Sequence, residues 1–173
     1  MVTRAGTSVA AAREIAAAVP DPELPMVTVA DLGILRDVAA EGDRLVVTIT
    51  PTYSGCPALS EIARDLRRRL AASGYAEITM RTALAPAWSS DWITSEGRRK
   101  LRAAGIAPPH AAPARRASGP VPLTLTGTRR EPVACPRCGS AVTTQTATFG
   151  ATACTALYRC ESCREPFEYV KEI

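Results

Sequence analysis

Histidine is almost missing from this chain of 173 residues, because His110 is the only one. Without a second histidine, neither a histidine-based catalytic triad nor a histidine-rich hydrolase metal site can be assembled. The chain also lacks a glycine-rich phosphate-binding motif, a flavin or nicotinamide fingerprint, and the carboxylate and histidine set of a di-iron bundle. Its residues are therefore not those of the common enzyme classes.

Long apolar runs are missing as well. No stretch approaches the length of a membrane-spanning helix, and Arg13 and Glu14 interrupt the Ala-rich N-terminal stretch where a signal peptide would need an apolar core. We therefore expect a cytoplasmic protein with no membrane contact. Lysine is scarce, since 19 Arg accompany 2 Lys, and the net charge of +4 is spread along the chain. This small, dispersed positive charge is only a weak hint of nucleic-acid binding.

Hydrophobic periodicity predicts a small α+β domain over residues 1–105 rather than a βαβ repeat. Residues 106–129 are rich in Pro, Ala and Arg without periodicity, which predicts a linker. Residues 130–173 have too little apolar area to fold unaided. The predicted elements of the first domain alternate as helix, strand, strand, helix, strand, helix: 8–19, 34–39, 44–50, 57–74, 77–84 and 94–104.

Six cysteines without a secretory signal indicate metal binding or thiol chemistry rather than disulfides. Four of them form two C-x2-C pairs separated by a 21-residue spacer, the spacing of a tetrahedral thiolate site in a zinc ribbon: Cys135, Cys138, Cys160 and Cys163. Zinc is the predicted ion, while rubredoxin-like iron and a bridged cluster stay open because tetrahedral sulfur ligation admits them.

Three further positions bear on the predicted ribbon. Gly139 follows the first cysteine pair, where a tight turn favours glycine, but Arg164 occupies the corresponding place after the second pair. Cys154 lies outside both pairs, and we predict a small buried residue in a ribbon strand.

Cys56 is the cysteine with a chemical environment of its own. Pro57 favours the first position of a helix, so Cys56 should lie near the N-cap, where free amide groups favour the thiolate form. The alternative is an inert cysteine at a loop–helix junction. A lone cysteine cannot hold an iron–sulfur cluster without ligands from elsewhere.

Several polar and aromatic residues allow two interpretations. Asp21 and Glu23, in a loop with two prolines, either cap turns or line a site, and the same holds for Asp31. Trp88 and Trp92 indicate core packing or a partner surface. The basic clusters at 67–69 and 98–100 are interpreted as solvated helix faces.

Three phrases together resemble the metal–sulfur cluster assembly family that includes SufT-like proteins. They are Asp21-Pro-Glu23, residues 29–34 (Val-Ala-Asp-Leu-Gly-Ile) and residues 50–57 (Thr-Pro-Thr-Tyr-Ser-Gly-Cys-Pro). The later phrases at 86–99, 105–109 and 154–167 look like the PaaD family of phenylacetate-degradation proteins, in which an assembly domain precedes a zinc ribbon. This second resemblance covers nearly the whole chain.

The resemblance implies an accessory component of the multicomponent phenylacetyl-CoA 1,2-epoxidase, with its iron–sulfur flavin reductase among the partners. It implies that Cys56 handles iron or a cluster transiently, with Asp21 and Glu23 shaping that pocket, while the ribbon holds structural zinc. A non-catalytic structural subunit, which would bind through Trp88, Trp92 and the ribbon, is the alternative. A zinc-ribbon nucleic-acid binder is a remote one, and a homodimer stays open.

Overall fold

The computed structural model describes residues 8–53, 55–112 and 132–172. The chain divides into two units, the first ending at Ala104 and the second running from Gly105 to Glu172. The predicted α+β class and the order of the first six elements are confirmed. In chain order the elements are α1 Val9–Ala17, β1 Leu35–Glu41, β2 Arg44–Ile49, α2 Ala58–Ala72, β3 Ile78–Thr82, α3 Ser95–Ala103, β4 Ile106–Ala107, β5 Thr143–Ala147, β6 Thr155–Cys160 and β7 Pro166–Val170.

A three-stranded sheet in the order β1-β2-β3 forms the centre of the first unit. The hairpin β1–β2 is antiparallel, whereas β2 and β3 are parallel and α2 connects them. The α+β unit therefore contains a single βαβ crossover, which the order of elements alone does not reveal. Val46 is buried together with Leu45, Val47 and Ile49, so β2 is covered on both faces rather than half-buried.

The helices of this unit follow from local sequence signals. The Ser8 hydroxyl accepts a hydrogen bond from the amide of Ala11 and caps α1. Ile62, Leu66 and Leu70 recur at helical spacing in α2 and are buried, so this stripe contributes to the core.

The segment before β1 is tied closely to the segment before α3. Gly33 has a φ of +68°, and a Cβ placed on it would lie 2.6 Å from Trp92 Cβ and 2.8 Å from the Trp92 carbonyl oxygen. The indole N–H of Trp88 donates to the carbonyl of Leu32 at 2.9 Å, and Trp88 is 5% exposed. Trp88 is therefore a core residue, while the half-buried Trp92 carries the Arg36 guanidinium 3.6 Å from its ring centroid.

Asp31 ties the same loop to α3. Its Oδ2 accepts hydrogen bonds from Lys100 Nζ at 2.7 Å and from the Thr28 amide at 2.9 Å. Its backbone carbonyl accepts from the Thr94 amide at 2.8 Å. Burial acts to raise the pKa of Asp31, but the hydrogen bonds from Lys100 and Thr28 outweigh it and leave the pKa below its ordinary value. Of the two interpretations of Asp31, these contacts support the structural one.

The second unit is a four-stranded sheet in the order β4-β7-β6-β5. Ile106 and Ala107 pair in parallel with Glu168 and Tyr169 of β7. The predicted linker at 106–129 therefore begins with a buried strand, because two apolar residues are too few to show periodicity but enough to join a sheet. Residues 113–129 of that linker, and 130–131 of the predicted ribbon, lie outside the described residues.

Aromatic rings fill the core of this second unit. Tyr158 stacks on Phe167 with centroids 5.8 Å apart and meets Tyr169 edge-on at 5.5 Å. Cys135 and Cys160 are buried in the same cluster of residues. The core and the cysteine pairs are therefore continuous.

The close approach at Gly33 predicts a specific stability effect. Gly33→Ala should lower the free energy of unfolding by about 3 kcal/mol, because the methyl group meets the Trp92 backbone and the positive φ is unfavourable for alanine. Gly42→Ala is the matched control: its φ is +61° but nothing lies within 4 Å, so it should cost only about 1 kcal/mol. Urea unfolding followed by fluorescence of Trp88 and Trp92 measures both, and equal losses would contradict the steric argument.

The contacts of Asp31 predict a pH dependence. Asp31→Asn should lower the free energy of unfolding at neutral pH by about 1–3 kcal/mol. A lowered folded-state pKa stabilises the fold above the ordinary carboxyl pKa, and this contribution disappears as the pH falls, so wild type and variant should converge between about pH 5 and pH 2. Asp43→Asn, at the exposed turn after β1, should have little effect at any pH. A constant difference down to low pH would contradict the role of the Asp31 charge.

Candidate metal centre and thiol site

The four predicted ribbon ligands converge on one point. The Sγ atoms of Cys135, Cys138, Cys160 and Cys163 all lie within 4.8 Å of one another. Cys135 and Cys163 are 3.8 Å apart, and Cys138 and Cys160 are 3.5 Å apart. A tetrahedral ion with bonds of about 2.3 Å places its sulfur ligands about 3.8 Å from one another. The spacing fits one ion, whereas a bridged cluster would hold its thiolates farther apart because they bind different irons.

Two equivalent turns present these thiols. Gly139 has a φ of +74° and Arg164, at the corresponding position of the second turn, has a φ of +67°. The amide of Cys135 donates to the carbonyl of Ser140 at 2.9 Å, and the amide of Cys160 donates in the same way to Glu165 at 3.0 Å. The departure from glycine at Arg164 therefore leaves the turn unchanged.

Hydrogen bonds act in opposite directions on two of these thiols. The amide of Cys163 donates to the Cys160 sulfur at 3.5 Å, and this hydrogen bond lowers the pKa of the Cys160 thiol. The amide of Glu165 acts to lower the pKa of Cys163, but burial and the neighbouring thiols outweigh it and raise that pKa. Thiolates are the form that binds metal, so a bound ion must displace protons from the group. Cys135 and Cys160 are buried, whereas Cys138 and Cys163 are exposed.

Cys154 lies apart from this group. It occupies the turn before β6 rather than a strand, is half-buried, and has its sulfur 3.0 Å from the Thr152 hydroxyl. The ribbon's metal group does not include it.

Cys56 lies at the predicted place, immediately before α2. It is half-buried; its amide donates to the Tyr53 carbonyl at 3.2 Å, and its own carbonyl accepts from the Leu59 amide at 3.4 Å. Its sulfur has no hydrogen-bond partner within 8–53, 55–112 and 132–172. These contacts fix the backbone at the start of the helix, whereas the thiol takes part in no hydrogen bond within the described residues.

Asp21 and Glu23 have local structural roles. The Oδ1 atom of the buried Asp21 accepts from the amides of Glu23 at 2.9 Å and Leu24 at 2.8 Å, which closes the double-proline loop. Burial raises the pKa of Asp21 against the opposing effect of these amides. Burial also raises the pKa of the half-buried Glu23, and the charge of Asp21 adds to that rise.

The three residues predicted for iron or cluster handling do not form a ligand group. Within the described part of the chain, the four ribbon cysteines are the one set of three or more metal-ligating side chains whose ligand atoms converge. Cys56, Asp21 and Glu23 are not brought together in this way. A shared pocket made by them therefore stays a prediction.

A groove beside α2 was not predicted from the sequence. It has a volume of about 370 Å³ and lies between Pro20 and Pro22 on one side and charged residues of α2 on the other. The basic cluster at 67–69, interpreted as a solvated face, places Arg68 and Arg69 on its wall. The sequence does contain a pattern that could have indicated this groove. Charged side chains recur at 61, 64, 65 and 68, a spacing that puts them on one helix face.

Comparison with known proteins places both units in families. An iron–sulfur cluster assembly protein model matches residues 10–79, and a PaaD zinc β-ribbon domain model matches residues 119–171. The chain thus combines a cluster-assembly domain with a zinc ribbon.

Full-length comparison defines the family. The chain is 42% identical over 153 residues to an Escherichia coli (strain K12) protein named as a subunit of 1,2-phenylacetyl-CoA epoxidase, covering 88% of this chain and 86% of that protein. It therefore belongs to the PaaD family. It is also 34% identical over 83 residues to an Fe-S protein maturation auxiliary factor of Porphyromonas gingivalis, covering 47% of this chain and 78% of that protein.

Among solved structures, the chain is similar to a Domain of Unknown Function DUF59 from Bacillus anthracis. The two are 30% identical, the match covers 53% of this chain and 89% of that one, and the TM-score is 0.49. None of the helices in the described ranges is both long and apolar enough to cross a membrane.

The metal centre predicts that the ribbon unfolds when one ligand is removed. Cys160→Ser should abolish metal binding and collapse the amide NMR dispersion of residues 133–170, because a structural zinc site contributes about 10–16 kcal/mol of apparent binding free energy. Residues 8–104 should keep their dispersion. Cys154→Ser is the matched control and should retain about one metal ion per chain by mass spectrometry. A folded ribbon in metal-free Cys160→Ser would contradict the prediction.

Proposed function

We propose that this chain is a cytoplasmic accessory component of a phenylacetyl-CoA 1,2-epoxidase system that assists maturation of an iron–sulfur or iron centre in a partner subunit. Membership of the PaaD family, the iron–sulfur cluster assembly model that matches residues 10–79, and similarity to an Fe-S protein maturation auxiliary factor support this function. The iron or cluster is the cargo of the chain. The partner that best fits the proposal is the iron–sulfur flavin reductase of the epoxidase.

The observation that carries the proposal is the position of Cys56. It lies at the start of a long amphipathic helix, and its half-buried thiol is separate from the ribbon metal group. A transient carrier needs a thiolate that can bind its cargo and release it, and a lone cysteine with incomplete ligation meets that need. The remaining ligands would come from the client, and Asp21 and Glu23 would shape the pocket around the cargo.

The ribbon has a different role in this proposal. Its four thiolates hold a structural zinc ion that substitutes for a larger apolar core, and the folded ribbon provides a docking surface for the epoxidase subunits. The match of residues 119–171 to a PaaD zinc β-ribbon model favours zinc over iron, which the same four-thiolate geometry would also admit.

The two alternatives have less support. A structural subunit that docks through Trp88, Trp92 and the ribbon would need exposed indoles. Trp88 is buried and hydrogen-bonded to Leu32. Trp92 is half-buried with the Arg36 guanidinium over its ring, which leaves the ribbon as the main surface for such docking. A nucleic-acid binder would need a concentrated basic surface, but 21 Arg and Lys against 17 Asp and Glu leave a net charge of only +4.

Co-production with the epoxidase subunits tests the proposal. Cys56→Ser should lower the iron and acid-labile sulfide content of the purified reductase, because the variant lacks the thiolate that transfers the cargo. Cys154→Ser, a second half-buried cysteine outside the metal group, should leave reductase loading unchanged. Normal loading with Cys56→Ser, together with stable co-purification, would favour the structural-subunit alternative and remove Cys56 from the mechanism.

A further inference from the structure

The groove beside α2 combines an apolar floor with a charged rim. Pro20 and Pro22 form one apolar wall, and Ile62, which is 1% exposed, forms the floor. Its volume of about 370 Å³ is within the range of sites that accept a small ligand or a few side chains of a peptide. The proline wall is stiff, because each ring fixes its φ, so little ordering entropy is lost when a ligand binds there.

An acidic residue orients two guanidinium groups on the rim. Asp65 Oδ2 accepts a hydrogen bond from Arg69 Nε at 3.1 Å, and Asp65 Oδ1 pairs with Arg68. A guanidinium has five N–H donors, and these contacts use only a fraction of them. Asp65 therefore holds two arginine side chains in place while most of their donors stay available.

Arg64 gives the rim its unbalanced charge. It is exposed, lines the groove, and forms no ion pair within the described residues. Arg64, Arg68 and Arg69 together face the two carboxylates of Glu61 and Asp65. One positive charge is left without compensation beside an apolar floor.

We propose that this groove binds a short segment of a partner protein in which acidic and apolar residues alternate. A carboxylate of the segment pairs with Arg64 and the free donors of Arg68, while an apolar side chain packs against Pro20, Pro22 and Ile62. A nucleic acid fits less well, because Glu61 and Asp65 would face its continuous phosphate charge.

The groove lies on the helix that follows Cys56, so a bound client segment would lie near that thiol. This part of the inference rests on the proposed function. Glu61, the first groove residue of α2, follows Cys56 by five residues on the same stretch of chain. A helix rises about 1.5 Å per residue, so a client held along the groove extends toward the helix end that carries the thiol. The groove would thus bring the client's ligands near the cargo.

Fluorescence anisotropy with the full-length chain tests the groove directly. The probe is a fluorescein-labelled peptide of sequence Asp-Leu-Glu-Asp-Leu-Glu, and its Asn-Leu-Gln-Asn-Leu-Gln counterpart is the neutral control. Arg64→Glu should weaken binding of the acidic peptide about tenfold or more, whereas Arg67→Glu should weaken it no more than about twofold. Arg67 is the matched control because it is exposed on the same helix but does not line the groove. Amide NMR shifts should cluster at residues 20–22 and 61–69.

Three results of this experiment would contradict binding in the groove. Equal weakening by the two variants, equal binding of the neutral peptide, or tighter binding of an oligothymidine would overturn the proposal. Cys56→Ser should not change peptide binding. Loss of reductase loading in Cys56→Ser with intact peptide binding therefore leaves both proposals standing, whereas absent peptide binding with the same loss of loading overturns the groove alone. Normal loading in Cys56→Ser with intact peptide binding overturns the proposed function alone.

Discussion

Four sulfur atoms held within 4.8 Å of one another impose the strongest constraint on this protein. As thiolates they repel each other unless a cation lies between them, and the repulsion is large where water is scarce. Two of the four, Cys135 and Cys160, also belong to the apolar core that contains Tyr158, Phe167 and Tyr169. The cysteine group and the core are thus continuous, so we expect loss of a bound ion to weaken the core as well.

The four ribbon cysteines and Cys56 lie in different units of the chain. The ribbon brings all four of its paired cysteines together as a group that could hold one ion, while the first unit folds around an ordinary apolar core and keeps Cys56 apart from that group at the start of α2. Under the proposed function this division is useful, because metal that stabilises the ribbon would not compete with metal in transit. The groove on α2 would then add a separate surface for recognising the client.

Local signals in the sequence were sufficient for much of the fold. The cysteine spacing predicted which four cysteines the structure brings together, and Ser8, Pro57 and Gly105 marked helix ends close to their observed positions. The parallel pairing of β2 with β3 was not predictable in the same way, because strand direction depends on which edge the crossover reaches. β4 was missed because Ile106 and Ala107 give no periodic pattern, and their partner β7 lies some sixty residues later in the sequence.

The candidate site shows the same division between local and distant information. The place of Cys56 before α2 follows from its neighbour Pro57, but the contacts of Asp21, Trp88 and Arg164 depend on the backbone conformation around them. The groove requires Pro20 and Pro22 to meet α2, which involves residues about forty positions apart. The position of a residue at the end of a helix could be predicted from its sequence neighbours. A surface formed by two segments that are far apart in the sequence could not.

The unequal exposure of the ribbon cysteines has a kinetic consequence. Cys138 and Cys163 face solvent, while Cys135 and Cys160 are anchored in the core. We therefore expect oxidants and competing chelators to reach the outer pair first. Under oxidative stress, the two solvent-facing sulfurs are then the first place at which the ribbon would be damaged.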